Sequence, residues 1–268
     1  MIDWSIIVAV DDETVLQNNL LRSHDVENVS MLSIHKGYAN AGQAYNEGID
    51  RTCSEILVFL HQDVYLPGGW VDRLGSCINR LKERDPDWGV LGVYGIDDRS
   101  CSVGHVYSTG LTSVLGRAFK EPVEVTALDE LLLVLRRGSG LRFDEGLPGF
   151  HLYGADICLE ARRRGLKSYV IPNFCIHNSN GLRVLPWAYW RSYRYMQKKW
   201  SRVLPIPTLC MPLTRSGVPI LGHYLRWWMA GRWEKQKVGK RCSDPEALFQ
   251  TLYKNLEEEG GISNVKLE

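Results

Sequence analysis

Mostly apolar runs alternate with amphipathic stretches along the first 180 residues of the chain. The runs end at charged or polar residues or at proline, which is typical of strands buried on both faces of a sheet. The predicted strands are Ser5–Val10, Met31–Ile34, Ile56–Leu60, Val90–Val93, Glu130–Leu135 and Tyr169–Pro172. The stretches between them repeat apolar residues at helical spacing. The predicted helices are Val15–Leu21, Ala41–Thr52, Trp70–Lys82 and one that holds Asp156 in its first turn and stops at Gly165.

Strands that alternate with helices predict an α/β fold with a mostly parallel sheet flanked by helices. Ligands of such sheets bind outside the carboxyl ends of the strands. Asp11 and Asp12 follow the first strand, and His61-Gln62-Asp63 follows the third. We therefore expect these polar residues to line one edge of the sheet. The open alternative is that strand ends carry polar residues only to meet water.

Composition adds a division of the chain near Gly181. The 268 residues, 44% of them hydrophobic, suffice for a full core, and seven cysteines without a CxxC pair indicate free cytosolic thiols. No leader or spanning segment is expected. Residues 183–240 hold twelve Lys and Arg against one acid, Glu234, together with six of the nine tryptophans. We predict two parts, a domain over residues 1–181 and a helical, basic, aromatic extension over 182–268.

Several motifs in a fixed order resemble those of glycosyltransferase family 2. They are a first strand ending in Asp, HQDV after the third strand, Leu-Asp before an apolar strand, FDE, GFHLYGADICLEARRRG and a final His-Asn-Ser. The resemblance covers residues 4 to 180. Within the family, the chain most resembles a bacterial subgroup in which HQD replaces DxD. It implies a GT-A fold, a Rossmann-like sheet that binds a nucleoside diphosphate sugar.

The resemblance also implies roles for the residues at the sheet edge. Asp63 matches the last Asp of DxD, which holds Mn²⁺ or Mg²⁺ on the diphosphate, and His177 matches a further ligand in some relatives. His61 stands where the first Asp is expected, and we assign it to a sugar or ribose hydroxyl instead. The implied donor-binding residues are Asp11, Asp12, Asn40, Asn46, His61, Gln62 and Asp129. For His177, an equally supported alternative to metal binding is a purely structural role at the end of an apolar strand.

Asp156 matches the general base of inverting relatives, which takes the proton of the acceptor hydroxyl. An Asp in a first helical turn is otherwise a cap or a partner of the helix dipole, so the match carries this assignment. Relatives often have Glu-Asp there, whereas this chain has Ala155-Asp156. His151 and Tyr153 are expected to shape the acceptor pocket.

The predicted function is inverting transfer of a hexosyl or deoxyhexosyl group to a glycan or lipid-linked acceptor, in surface polysaccharide synthesis. The alternatives are a nucleotidyltransferase and a non-catalytic carbohydrate-binding protein. A nucleotidyltransferase is expected to have a glycine-rich basic loop after its first strand, and the sequence after Val10 has none. The absence of the first Asp of DxD favours the non-catalytic protein. Tryptophans beside lysines and arginines predict a membrane-surface contact of a cytoplasmic protein at the inner face of the membrane. Packing within the chain or a homo-oligomer is the alternative, and no nucleic-acid module is visible.

Overall fold

The computed structural model describes residues 3–181, 185–230 and 239–258. Within them the strands are β1 (Trp4–Val10), β2 (Met31–Lys36), β3 (Ile56–His61), β4 (Val64–Tyr65), β5 (Val90–Gly92), β6 (Tyr94–Ile96), β7 (Ser102–Ser108), β8 (Ser113–Gly116), β9 (Val123–Val125), β10 (Ala127–Leu128), β11 (Leu132–Arg136), β12 (Ser168–Val170) and β13 (Cys175–His177). The helices are α1 (Glu13–Asn18), α2 (Ala41–Arg51), α3 (Trp70–Arg84), α4 (Tyr153–Arg163), α5 (Trp187–Lys199), α6 (Val218–Ala230) and α7 (Pro245–Glu258). Short 3₁₀ turns cover Leu20–Arg22, His24–Asn28 and Arg137–Ser139.

The main sheet has seven strands in the order β2-β1-β3-β11-β5-β12-β9. The predicted α/β class with a mostly parallel sheet and flanking helices is confirmed, since β2, β1, β3, β5 and β12 run in one direction and only β11 and β9, of the seven strands, run in the other. Strand β1 runs parallel to β2 and β3, and β5 to β12, whereas β11 lies antiparallel between β3 and β5 and β9 antiparallel to β12. The apolar pattern predicted the existence of β11 but not its direction, because a strand buried on both faces reads the same either way.

A second sheet of six strands was not predicted as a sheet. It has the order β10-β6-β7-β13-β4, with β8 paired to β7, and most of its strands are too short to give a periodic signal. Its pairing of β13 with β4 sets His177 opposite Val64. This register brings His177 beside Asp63, 114 positions earlier in the sequence, at the end of β3.

The core lies on both faces of the main sheet. Ile6, Val8 and Leu60 point to a cluster that α3 covers, whereas Ile7 and Phe59 point to a cluster covered by α2 and α4. This division follows from the period of two in a strand, which sends successive side chains to opposite faces. Two buried faces explain why β1 and β3 are apolar throughout.

Helix α5 and the residue that follows it join the cluster under α2 and α4 with four buried apolar side chains. These are Tyr189, Tyr193, Met196 and Trp200. The division into a domain and a separate extension from residue 182 onward remains a prediction. The apolar face of α5, which lies beyond that boundary, is buried in the same core as side chains of the first 181 residues. Over the residues the structure describes, no helix combines the length and apolar character that crossing a membrane requires.

Candidate functional site

The carboxyl end of β3 carries a cluster of three potential ligands. One side-chain ligand atom from each of His61, Asp63 and His177 lies within 4.8 Å of the other two. His61 is the last residue of β3, Asp63 precedes β4, and His177 ends β13. The structure thus brings the two predicted metal residues together and adds His61, which was assigned to a hydroxyl contact.

Hydrogen bonds around the cluster orient its imidazoles. The Nε2 of His177 lies 3.4 Å from an oxygen of Asp63. The Nε2 of His61 lies 2.9 Å from the hydroxyl of Tyr153, and that hydroxyl donates to the carbonyl oxygen of Glu130, also at 2.9 Å. A hydroxyl that donates to a carbonyl accepts from the imidazole, so Nε2 of His61 carries the proton and Nδ1 is the nitrogen able to bind a cation. Such outer hydrogen bonds fix ligating histidines in metal sites.

Burial and charge shift the ionisation of the cluster. Burial alone would raise the pKa of Asp63, but the hydrogen bond and positive charge of His177 hold it well below its ordinary value. Burial lowers the pKa of His61. For His177, burial acts downward, but the bond to Asp63 raises the pKa overall. Two imidazoles and one ionised carboxylate form a donor set that fits Mn²⁺ better than Mg²⁺.

The predicted donor residues Asp11, Asp12 and Gln62 lie side by side at the ends of β1 and β3. The side-chain oxygen of Gln62 accepts from the backbone amides of Asp11 at 3.1 Å and of Asp12 at 3.0 Å, and its amide nitrogen donates to Asp11. One carboxylate oxygen of Asp12 caps α1 by accepting from the amides of Thr14 and Val15. Gln62 and Asp12 are therefore committed to local structure, whereas Asp11, which like Asp12 is exposed, does not cap the helix.

Asn40 and Asn46 hold the FDE loop against α2. Asn40 caps the helix through the amide of Gln43 and donates to the carbonyl oxygen of Glu145. Asn46, 5% exposed, bonds both the amide and the carbonyl oxygen of Phe143. These contacts position the loop, and direct contact of either residue with a donor stays a prediction.

The residues before and at the start of α4 form a second polar group. Asp129 accepts from the amide of Leu131 at 3.0 Å. The neighbouring Glu130 receives backbone hydrogen bonds at the start of α4, yet burial first and the charge of Asp129 second raise its pKa to about 8. His151 lies against the ring of Tyr189, with centroids 5.7 Å apart. Between His151 and Tyr153, Leu152 adopts a left-handed backbone with φ of 66°, a strained conformation that is common at functional sites.

Asp156 is buried at 1% exposure and has two side-chain partners from the end of α5. Trp200 Nε1 donates to one oxygen at 2.7 Å and Lys199 Nζ to the other at 2.8 Å. Lys199 also lies 2.7 Å from Asp144 and 3.2 Å from Glu160. Burial raises the pKa of Asp156 despite Lys199. The sequence did not reveal Lys199, because its partner lies 43 positions away and no local motif marks the pair.

A second unpredicted residue, Arg241, comes from the C-terminal part of the chain to the cluster of His61, Asp63 and His177, a possible metal site called the metal cluster below. Its Nη2 lies 3.3 Å from Asp63. The basic composition of the region was visible in the sequence, but no pattern distinguished this arginine from its neighbours. Of the basic and aromatic residues counted there, Arg183, Arg232, Trp233, Lys235 and Lys237 lie outside the described residues.

An open pocket of about 820 Å³ lies along α5. Its ten lining residues include four cations and no acid, and they are Gly146, Pro148, Trp187, Trp190, Arg191, Arg194, Tyr195, Gln197, Lys198 and Arg215. The rings of Trp187 and Trp190 are stacked with centroids 6.2 Å apart. Ion pairs to the four cations are absent from the described part of the chain, so the pocket is positively charged.

Comparison with known proteins gives one family and several distant structures. A family described as "Glycosyltransferase like family" matches residues 5–198. A relative from Fuscovulum blasticum, named "ATP synthase subunits region ORF 6", is 31% identical over 165 residues, 60% of this chain and 66% of the relative. GalNAc-T7 with UDP, GalNAc and Mn²⁺ has a TM-score of 0.49 at 11% identity, covering 86% of this chain and 57% of its own. A Pyrobaculum calidifontis mannosyltransferase with GDP-Man and Mn²⁺ has 0.47 at 11%, covering 96% and 80%.

Proposed function

The chain belongs to the glycosyltransferase-like family, and on that premise we propose that it is an inverting glycosyltransferase. It moves a hexosyl or deoxyhexosyl group from a nucleoside diphosphate sugar to a hydroxyl of a glycan or lipid-linked acceptor, in surface polysaccharide synthesis. The observation that carries the proposal is the convergence of His61, Asp63 and His177 at the carboxyl end of β3. Exposed Asp11 lies at the end of the neighbouring strand, which is where ligands of α/β sheets bind.

A divalent metal fits the site through Asp63 and His177, with Nδ1 of His61 as a third ligand. Such a cation neutralises charge on the diphosphate as that group departs. Asp11 contacts the base or ribose of the donor, and Asp129 contacts the donor sugar. Gln62 acts on the donor indirectly, by fixing the backbone of Asp11.

Asp156 is our proposed general base. Its raised pKa makes its carboxylate a stronger proton acceptor than an exposed aspartate. The acceptor hydroxyl takes the place of Lys199 or Trp200 on one carboxylate oxygen, while the other donor keeps the carboxylate oriented. His151 and Tyr153, at the start of α4, border the acceptor.

Donor turnover tests this proposal. A panel of nucleoside diphosphate sugars is incubated with the protein, with and without Mn²⁺, and released nucleoside diphosphate is measured. Asp63→Ala is expected to abolish the Mn²⁺-dependent release, whereas Asp98→Ala, an exposed aspartate outside the site, is expected to leave it unchanged. Asp156→Asn is expected to keep donor binding and lower turnover by about two to four orders of magnitude. A product with retained anomeric configuration contradicts the single displacement.

One observation favours the second candidate, a non-catalytic carbohydrate-binding protein. Both oxygens of Asp156 already have side-chain donors. In that case nucleoside diphosphate sugars bind, but no nucleoside diphosphate is released with any divalent metal. Asp156→Asn then changes stability rather than turnover.

The acceptor side of the proposal rests on α5 and α6. The positively charged pocket with its stacked tryptophans suits a saccharide that carries phosphate, as a lipid-linked acceptor does. Helix α6 exposes Val218, Leu221, Leu225 and Met229 on one apolar stripe, which suits contact with the cytoplasmic face of a membrane. Vesicles with anionic lipid are expected to bind the protein, and high salt is expected to weaken this binding. The double variant Leu221→Ser, Leu225→Ser is also expected to bind the vesicles more weakly. If the protein does not bind these vesicles at low salt, the apolar stripe of α6 is better explained as a self-association surface.

A further inference from the structure

The segment after α6 that begins at Gly239 crosses the metal cluster and is tied to the catalytic part of the chain. The amide of Gly239 donates to the carbonyl oxygen of Gly110 at 3.1 Å. The side chain of Asn178 bonds the amide of Cys242 at 2.8 Å and its carbonyl oxygen at 2.9 Å. Asn178 is itself 1% exposed and donates to Asn19 at 2.6 Å. Because Asn178 follows His177 directly, this tie holds residues 239–242 next to the proposed ligands.

Arg241 uses this position to reach Asp63. Its Nε donates to the carbonyl oxygen of Asn178 at 3.0 Å, and its Nη2 lies 3.3 Å from Asp63. The side chain of Arg241 is a third exposed, whereas that of Asp63 is 12% exposed. Asp63 thus has a cation on the oxygen that does not face His177.

A divalent metal on Asp63 weakens the attraction between that carboxylate and Arg241. When a metal binds Asp63, it takes the negative charge that Arg241 now shares, and the two cations repel each other. A nucleoside diphosphate brings at least two negative charges to the same place. A guanidinium hydrogen-bonds phosphate oxygens in bidentate geometry and cannot lose its proton, which makes it well suited to move from Asp63 to the diphosphate.

We propose that Arg241 is a diphosphate-binding residue, which leaves Asp63 for the donor diphosphate once the metal is bound. The proposal rests on the proposed function, since it takes a nucleoside diphosphate as the ligand. It gives Arg241 opposite effects in two states: competition with the metal when the donor is absent, and attraction of the diphosphate when metal and donor are both present.

The opposite effects are measurable by titration calorimetry on the 268-residue protein. The probes are Mn²⁺ alone, then UDP, GDP or inorganic pyrophosphate at saturating Mn²⁺. Arg241→Ala is expected to bind Mn²⁺ about three- to tenfold more tightly, because a neighbouring positive charge is gone. The same variant is expected to bind the diphosphate probe about tenfold more weakly, because a charge-assisted contact is gone. Arg241→Lys keeps the charge but not the fork, and is expected to lie between.

Arg22→Ala is the matched control. Arg22 also holds the C-terminal segment, through the carbonyl oxygen of Ser243 at 3.1 Å and the carboxylate of Asp244 at 3.7 Å, but it does not touch the metal cluster. It is expected to leave both affinities unchanged. Equal shifts in Arg22→Ala and Arg241→Ala, or a change of the same sign for Mn²⁺ and diphosphate, overturn the proposal in favour of a structural tie.

The outcomes separate this proposal from the proposed function. If the wild-type protein binds Mn²⁺ and a diphosphate probe while Arg241→Ala binds both equally well, only the role of Arg241 is wrong. If the wild-type protein binds none of the probes, the donor site fails and the role of Arg241 fails with it.

Discussion

At the scale of single residues, Glu130 stands apart because it remains protonated at a pH where glutamates are normally charged. Its pKa rises from 4.5 to about 8, chiefly through burial. Between these values the unfolded chain ionises and the folded protein does not, so the stabilising effect of the raised pKa, full below pH 4.5, is lost as the pH rises through about 8.

We therefore predict that the free energy of unfolding of the wild-type protein falls between pH 5 and pH 8 relative to that of Glu130→Gln. Glutamine keeps the shape and cannot ionise. Urea unfolding at the two pH values measures the difference, with the exposed Glu83→Gln as control. A difference that does not change with pH means that Glu130 is charged in the folded protein.

Asp156 and Lys199 form the other residue-level test. Lys199→Met leaves a buried carboxylate without its cation, and we expect this to cost about 3–5 kcal/mol of stability. Adding Asp156→Asn is expected to recover much of the loss, because the remaining pair is then uncharged. Lys167→Met removes an exposed lysine paired with Glu124 and is expected to change stability little. Chemical unfolding of the wild type, Lys199→Met, Asp156→Asn and the double variant gives the coupling, and additive losses contradict the pair.

At the scale of elements, the adjacent acids Asp11 and Asp12, between the end of β1 and the start of α1, have different roles. Asp12 caps α1, whereas the carboxylate of Asp11 accepts from the side-chain amide of Gln62 and takes no part in the cap. We predict that Asp12→Ala lowers stability by about 1 kcal/mol and that Asp12→Ser restores it, since serine also caps. Asp11→Ala is expected to spare the cap but weaken binding of a nucleoside diphosphate, measured by titration. Loss of nucleotide binding in Asp12→Ser contradicts this division.

The elements also show what local pattern can predict. The apolar runs located β1, β3 and β11, and the position of Asp63 after β3 pointed to the sheet edge. The second sheet escaped prediction because β4, β6 and β10 have two or three residues each. The partners of the site residues, Arg241 for Asp63 and Lys199 for Asp156, lie 178 and 43 positions away, and a single sequence carries no signal that pairs them.

At the scale of the whole molecule, the change in composition near Gly181 does not coincide with a break in the core. Tyr189, Tyr193, Met196 and Trp200 fill the cluster under α2 and α4. We predict that a chain ending after residue 181 loses cooperative unfolding, because that cluster opens to water and Asp156 loses both side-chain partners.

A chain ending after Gly217 provides the matched control. It retains α5 and is expected to unfold in one transition, as followed by circular dichroism during heating. If the chain ending after residue 181 melts as sharply and at the same temperature as the longer one, α5 is an appendage rather than part of the core.

The contact between Arg241 and Asp63 has a consequence for how the protein is made. Domains begin to fold from the N-terminal end while the chain is still being synthesised. Asp63 leaves the ribosome early, whereas Arg241 follows 178 residues later. An unfinished product can form the sheet with its ligands but lacks the arginine beside them. If the cluster binds a metal, as we propose, nascent chains pass through a stage in which the metal can enter the folded site before Arg241 is in place.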